Sequence, residues 1–156
     1  FSRDSLVNDD DLLNVMGTKV SKYVSDFANP QVVKMPNVIC LPHLGASTEE
    51  AEDNCAIMAI DELKDYLENG NIRNSVNYPA CNAGVKSSDF RLCINHKNVS
   101  GMIAKFSSVI SSDGGNISNF VNKSKNEYAY SIIDVEGKVD IEDIKKIDGV
   151  LRVRVL

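Results

Sequence analysis

The sequence predicts an α/β protein that ends in a small βαββαβ sandwich. Three patterns support this fold class. Residues 89–156 alternate between strand-like and helix-like apolar spacing in that order, residues 1–42 alternate short helical and strand-like runs, and one long helical pattern lies between them. The composition, with 43% hydrophobic and 25% charged residues, is typical of a globular protein.

The first segment, residues 1–42, is expected to contain one short helix and two strands. One of the three aspartates at 9–11 can cap a helix that stops at Gly17. Residues 22–25 form a short strand-like run, and the continuous apolar run at 38–41 is typical of a strand buried on both faces. We interpret this region as a partial Rossmann-type segment, too small to close a sheet by itself.

A long helix is predicted between Ser47 and Gly70. Ser47 and Glu50 fit a capping box, and Gly70 is a good helix terminator. The residues that follow, 71–88, are rich in Asn, Pro, Gly and Ser and are interpreted as a linker. We expect the apolar face of the helix to pack on a domain core, and it consists of Ala51, Cys55, Met58, Ala59, Leu63, Tyr66 and Leu67.

The last segment has the split β-α-β order of a ferredoxin-like sandwich. Both helices should cover one face of the sheet, so the other face or an edge is free to pair with a second copy, and we expect a homo-oligomer. The predicted organisation is a domain remnant at 1–42, a histidine-bearing segment and helix at 43–80 with a linker to 88, and a domain at 89–156. Its strands are predicted at 90–96, 116–123, 128–135 and 150–156, and its helices at 100–113 and about 141–147.

Bulk properties exclude several classes of protein. The net charge is −5 and no basic stripe occurs, so a nucleic-acid partner is not expected. No apolar run reaches the roughly 18 residues of a membrane span. Four scattered cysteines indicate idle thiols in a reducing cytoplasm, and with only two histidines we expect no structural metal site. The chain does not begin with Met and opens within a pattern, so we expect a fragment of a longer protein.

The stretch 36–48, PNVICLPHLGAST, resembles the signature around the catalytic histidine of the D-2-hydroxyacid dehydrogenases. Residues 89–156 are similar to an ACT domain, a small amino-acid sensor, and the combination resembles the phosphoglycerate-oxidising branch of that family. The resemblance implies an NAD-dependent oxidoreductase of serine biosynthesis. It also implies that His43 accepts the proton of the substrate hydroxyl, a role that imidazole can fill near neutral pH. The alternative is a loop histidine with no chemistry.

Two further residues acquire roles through the same resemblance. Arg3 matches the family's arginine that holds the substrate carboxylate, for which a guanidinium fork is well suited. Asp26 matches an aspartate near the nicotinamide amide, although a surface aspartate capping a turn is the alternative. Asn29 stands where the family has a glutamate that orients the histidine, so either another acid, such as one upstream, serves His43 or its proton transfer is tuned differently. The chain has no G-x-G-x-x-G cradle and is therefore not expected to turn over substrate by itself.

An effector site is predicted where the first strand of the last domain joins its first helix. Backbone N–H groups at 97–101 suit a carboxylate, and Asn98 and Asn116 suit an amino acid's ammonium and carboxylate groups. The resemblance implies that these asparagines and His96 bind L-serine, or another small amino acid, between two ACT domains as an allosteric effector. Without the resemblance, Asn98 would be a helix cap and Asn116 a turn residue.

Two other identities remain open at this level. The chain could be a stand-alone ACT sensor that binds an amino acid. It could also derive from another ACT-bearing D-2-hydroxyacid dehydrogenase that senses a different amino acid or none.

Overall fold

The computed structural model describes residues 4–156. Its contacts divide the chain into two compact units, one ending at Cys55 and the other spanning residues 56–156. Each unit has its own buried apolar residues, and the second unit carries two separate clusters of them.

The first unit contains helix α1 (Asp9–Val15) and two short parallel strands, β1 (Tyr23–Ser25) and β2 (Val38–Cys40). Short 3-10 turns cover Asp4–Leu6 and Val32–Lys34. The cap predicted at residues 9–11 is wrong, because the side chain of Asn8 accepts hydrogen bonds from the N–H groups of Asp10 and Asp11 at 3.0 and 3.1 Å. An asparagine one position earlier satisfies the same unpaired helix donors.

Strand β2 is not buried on both faces as predicted. Ile39, at its centre, is 46% exposed. Within residues 4–55, β2 pairs with β1 alone, so the sheet has no further strand beside it. The apolar run is typical of the interior of a larger parallel sheet, and the described part of the chain supplies only two of its strands.

Helix α2 (Glu49–Asn69) begins one residue later than the predicted capping box requires. Thr48 rather than Ser47 caps it, since the Thr48 hydroxyl accepts the Ala51 N–H at 3.2 Å. Gly70 ends the helix with a φ of +75°, as predicted. The predicted packing of the apolar face is wrong for most of its length, because no α2 residue is buried and Leu63 is 57% exposed.

The second unit confirms the predicted βαββαβ order. Its four strands form one antiparallel sheet in the order β4-β5-β3-β6, which leaves β4 and β6 at the edges. The elements are β3 (Phe90–Lys97), α3 (Met102–Ser112), β4 (Asn116–Lys125), β5 (Tyr128–Glu136), α4 (Ile141–Lys145) and β6 (Val150–Val155). They match the predicted ranges to within a few residues, so the ferredoxin-like fold class is confirmed.

Both faces of this sheet are covered. The helix face packs residues such as Leu92, Ile94 and Phe106 into one core. The opposite face, predicted to be free, is covered by Ile72 and Cys81, which pair through two backbone hydrogen bonds of 2.8 and 3.0 Å. The Asn- and Pro-rich residues interpreted as a linker therefore pack on the second unit and do not form a free tether.

A buried ion pair connects residues 71–88, here called the covering segment, to the sheet. The guanidinium of Arg91 donates to both carboxylate oxygens of Asp134, at 2.6 and 2.8 Å, and both side chains are almost fully buried. The same guanidinium donates to the carbonyl oxygens of Asn69, at the end of α2, and of Gly84, each at 2.8 Å. One arginine thus connects the end of α2, the covering segment and strand β5.

Gly70 marks a second point of close approach. The Tyr130 hydroxyl donates to the Gly70 carbonyl oxygen at 2.8 Å, and a Cβ placed on Gly70 would collide with the Cys93 sulfur. Both its left-handed backbone and this lack of space therefore require glycine.

Candidate functional site

The predicted catalytic histidine and Asp26 lie together in the first unit. They follow β2 and β1 respectively, and the Leu41 N–H bonds the Ser25 carbonyl oxygen at 2.9 Å, which keeps the two strand ends side by side. His43 Nδ1 lies 2.7 Å from Asp26 Oδ2, and the Phe27 ring lies 4.6 Å from the imidazole between ring centres. The side chains of His43 and Asp26 are 55% and 34% exposed, so the pair is open to a substrate.

This pairing allows a definite division of roles. A carboxylate at Nδ1 fixes the tautomer in which Nδ1 carries the hydrogen, and Nε2 is then the atom that can take up a proton. The resemblance implied that Asp26 lies near a nicotinamide, whereas in the structure its carboxylate contacts His43. Among the described residues, Asp26 is the acid whose carboxylate contacts His43.

Asn29 has a structural role. Its side-chain nitrogen donates to Asp9 at 2.8 Å, and its oxygen accepts the N–H groups of Gln31 and Val32 at 3.0 and 2.8 Å. These bonds begin the 3-10 turn that follows. Arg3, predicted to hold the substrate carboxylate, lies outside the described residues.

The effector residues His96 and Asn98 line a pocket of about 430 Å³ in the second unit, beneath the first turn of α3. That turn has no side-chain cap, because Gly101 occupies the N-cap position with a φ of +84°. The first amide N–H groups of a helix have no acceptor within the helix, so they can bind a carboxylate here. Asn122 also lines the pocket.

His96 is 2% exposed and belongs to a polar cluster at the floor of this pocket. Its Nδ1 faces the Lys97 carbonyl oxygen at 2.9 Å, so Nδ1 carries a hydrogen. Its Nε2 lies 3.0 Å from the Ser131 hydroxyl and 3.1 Å from Asn122 Oδ1. With its hydrogen on Nδ1, His96 can accept the Ser131 hydroxyl at Nε2, and the same hydroxyl lies 2.8 Å from Asn122 Oδ1. His96 is too deeply buried to be the main ligand contact.

Asn116 does not line this pocket, so a single chain does not bring it to Asn98 and His96 where β3 joins α3. Asn98 donates to the Asn126 carbonyl oxygen at 3.0 Å, in the turn that follows β4, whereas Asn116 begins β4 and donates to Glu136 at 3.2 Å. The strand is ten residues long, and at about 3.3 Å per residue its ends are roughly 30 Å apart. The two asparagines therefore occupy opposite ends of the sheet.

Sequence reasoning missed Asn122 and Ser131 as site residues. The sequence assigned both to strands, but their meeting depends on the register of β4 against β5, in which they are direct partners. Each is a polar residue at a position where the alternation of its strand would place an apolar side chain on the helix face. That departure from the pattern was the sequence signal for both.

Other kinds of site find no support between residues 4 and 156. In that range no three His, Cys, Asp or Glu side chains are grouped to hold a metal ion. No helix there is long and apolar enough to cross a membrane. All four cysteines are free, and burial raises the pKa of the Cys81 thiol to about 11, which keeps it protonated and unreactive near neutral pH.

Known proteins were compared with the chain. No family model matches it. It is 27% identical over 149 residues to D-3-phosphoglycerate dehydrogenase of Escherichia coli (strain K12), covering 92% of this chain and 36% of the relative. It is 34% identical over 123 residues to D-3-phosphoglycerate dehydrogenase 1 of Saccharomyces cerevisiae (75% and 25%), and 30% identical over 129 residues to the Dictyostelium discoideum enzyme (81% and 31%). The chain thus spans about a third or less of these relatives.

A solved structure was also found, the ACT domain from the GTP pyrophosphokinase of Chlorobium tepidum. It is 22% identical in sequence to this chain, with a TM-score of 0.36. The match covers 43% of this chain and 95% of that ACT domain. The predicted resemblance to the phosphoglycerate-oxidising branch is confirmed by the curated relatives, all three of which are named as D-3-phosphoglycerate dehydrogenases.

Proposed function

We propose that this chain, similar over most of its length to D-3-phosphoglycerate dehydrogenases, is the C-terminal portion of such an enzyme. The whole enzyme would oxidise 3-phosphoglycerate to 3-phosphohydroxypyruvate with NAD, the first step of L-serine biosynthesis. The second unit would be an ACT domain that binds L-serine as a feedback effector. The observation that carries the proposal is the 2.7 Å contact between Asp26 and His43, the histidine of the stretch that resembles the catalytic signature.

The proton chemistry follows from this pair. Oxidation at C2 of a 2-hydroxy acid requires loss of the hydroxyl proton as the hydride leaves, and His43 Nε2 is free to take that proton. Asp26 then stabilises the imidazolium that forms. Arg3 would hold the substrate carboxylate, as the resemblance implies.

A nicotinamide would accept the hydride in the whole enzyme. The residues of this chain do not fit a complete binding site for it, because the phosphate-cradling glycine motif is absent and the Asp26 carboxylate is engaged by His43. We therefore propose that most of the cofactor's contacts come from sequence other than these 156 residues, and that the chain alone is inactive.

Effector binding rests on the pocket at α3. A small amino acid would place its carboxylate on the first-turn N–H groups and its ammonium group against the side-chain oxygens of Asn98 and Asn122. A volume of about 430 Å³ is ample for serine. Asn116 can join the site only from a second copy, which a two-fold pairing of sheets at the β4 edge would allow.

The effector proposal predicts a specific loss of binding. Asn122→Ala should lower the affinity of the chain for L-serine by about tenfold or more, because a half-buried hydrogen-bond partner of the ligand is removed. Calorimetric titration measures this directly. The matched control is Asn54→Ala, on the exposed side of α2, which should bind serine like the wild type. Equal serine affinity in both variants would refute the site.

Two alternatives are separated by different observations. A nucleotide-binding glycine motif in frame in the coding sequence upstream of Phe1 would favour the enzyme over a stand-alone sensor. A thermal-shift screen of the amino acids against this chain tests the second alternative. Another hydroxyacid dehydrogenase would respond to a different amino acid or to none. For location, four free thiols support a reducing compartment, and we propose the cytoplasm.

A further inference from the structure

A second pocket lies on the face of the sheet opposite α3 and α4, within the second unit. Its volume of about 330 Å³ is within the range of small-ligand sites. Tyr66 and Tyr78 form aromatic walls, Ile72 and Leu151 add apolar surface, and the polar groups come mainly from Asn95 and Arg152. Its lining shares no residue with the effector pocket.

A β-bulge shapes this pocket. Asn95 pairs with Arg152, but the next residue, His96, pairs with Val150, so Leu151 is an extra residue in β6. In a regular strand Leu151 and Arg152 would point to opposite faces. The bulge changes the direction of the strand locally, so the consecutive side chains of Leu151 and Arg152 both line the pocket.

The pocket has positive charge without a matching carboxylate. No ion pair or hydrogen bond joins the Arg152 guanidinium to any other residue between 4 and 156. Arg154, two positions along the same strand, donates to the Tyr66 carbonyl oxygen and lies 4.2 Å from the Tyr66 ring centre. Arg154 thus holds one wall in place through neutral partners. The guanidinium groups of Arg152 and Arg154 therefore lie two positions apart on one strand of a chain whose net charge is −5.

These features select one class of ligand. A guanidinium fork matches a carboxylate, and the Asn95 amide can donate a further hydrogen bond. The tyrosine and aliphatic walls suit an apolar or aromatic body. None of the lining residues is acidic, so an ammonium group would meet the Arg152 charge without a carboxylate to pair with it.

We propose that this pocket binds a small organic carboxylate with an apolar or aromatic body and no amino group. It is a site for an arylalkyl acid or a 2-keto acid, separate from the effector pocket and independent of the dehydrogenase reaction.

Titration of the full chain with phenylacetate tests the proposal. Amide NMR shifts should map to residues 66–78, Asn95 and β6, with a dissociation constant of about 1 mM or tighter. L-Phenylglycine, which adds an ammonium group, and benzyl alcohol, which has a hydroxyl in place of the carboxylate, should each bind about tenfold more weakly or worse. No phenylacetate binding at 10 mM, about ten times the expected dissociation constant, would overturn the proposal. Amide shifts centred on His96 and α3 would overturn it as well.

Variants distinguish phenylacetate binding in this pocket from a general effect of positive charge on the protein. Arg152→Ala should weaken phenylacetate binding about tenfold or more, and Arg152→Lys should fall between it and the wild type, because the charge stays but the fork is lost. Lys105→Ala, an equal charge change on exposed α3, should bind like the wild type. Equal phenylacetate affinity in Arg152→Ala and Lys105→Ala would contradict the assignment. L-Serine binding should be the same in both variants, so a failure here leaves the effector site testable.

Discussion

Replacing His43 by glutamine in the proposed full-length dehydrogenase is expected to lower kcat by about 10²- to 10⁴-fold, the usual contribution of a positioned general base. Glutamine can keep a hydrogen bond to Asp26 but cannot take up the hydroxyl proton. Because His43 is exposed and Asp26 is its recorded polar contact, the variant should fold normally. Steady-state kinetics with 3-phosphoglycerate and NAD measure the effect.

Two further variants show whether the loss comes from proton transfer. Asp26→Asn should lower kcat by a smaller factor, since it disturbs the tautomer and the orientation of the ring. Asn29→Ala should leave kcat unchanged and cost about 1 kcal/mol of stability, because Asn29 caps a turn and bonds Asp9 but is not a hydrogen-bond partner of His43. If His43→Gln retains wild-type kcat, the assignment of this histidine as the base is wrong.

Asp134→Ala is expected to destabilise the second unit by about 3–5 kcal/mol, because it leaves the buried Arg91 charge without its carboxylate. The loss should appear in chemical denaturation of the chain. Arg91 would also hold the Asn69 and Gly84 carbonyl oxygens less firmly, so the covering segment should become more accessible to protease. The matched control is Asp143→Ala, whose ion pair with Lys146 is exposed and should contribute less than about 1 kcal/mol.

If Asp134→Ala fails to fold, Arg91→Met combined with Asp134→Leu should recover part of the stability, since it removes both buried charges. Acid titration gives an independent readout. Burial alone would raise the pKa of Asp134, but hydrogen bonds from Arg91, Asn119 and Ser88 outweigh it and hold that pKa below its usual value. The pair therefore stabilises the fold above about pH 4, the unfolded-state value, and this contribution is lost as the pH falls through the lower folded-state pKa. Asp134→Ala should lack this part of the acid-induced loss, and a destabilisation no larger than that of Asp143→Ala would contradict the account.

Local patterns predicted the second unit well because its elements carry their own signals. Period-two alternation marks β6, three- and four-residue spacing marks α3, and Gly70 ends α2. The covering segment was not predictable in this way. Ile72 and Cys81 are isolated apolar residues among turn formers, and only their pairing in space shows that they bury one face of the sheet.

The site was predicted only in part for a similar reason. His43 and Asp26 were both named, but their mutual contact depends on two strands lying side by side. Asn98 and Asn116 were grouped by residue type and by the resemblance, although β4 begins with Asn116 at the far end of the sheet and only its last residues approach Asn98. Residue type and spacing identify candidates, whereas strand direction and register decide which of them meet.

Mixing two variants tests the proposed serine site most directly. Asn98→Ala and Asn116→Ala should each fail to bind L-serine alone, because every site of a symmetric dimer then lacks one asparagine. After the two are mixed in equal amounts and allowed to exchange subunits, about a quarter of the wild-type number of sites should reappear, because half of the dimers are mixed and each has one intact site. Calorimetry measures that stoichiometry. Serine binding by Asn98→Ala alone, or no recovery in a mixture shown to have exchanged, would contradict a site shared between two copies of this domain.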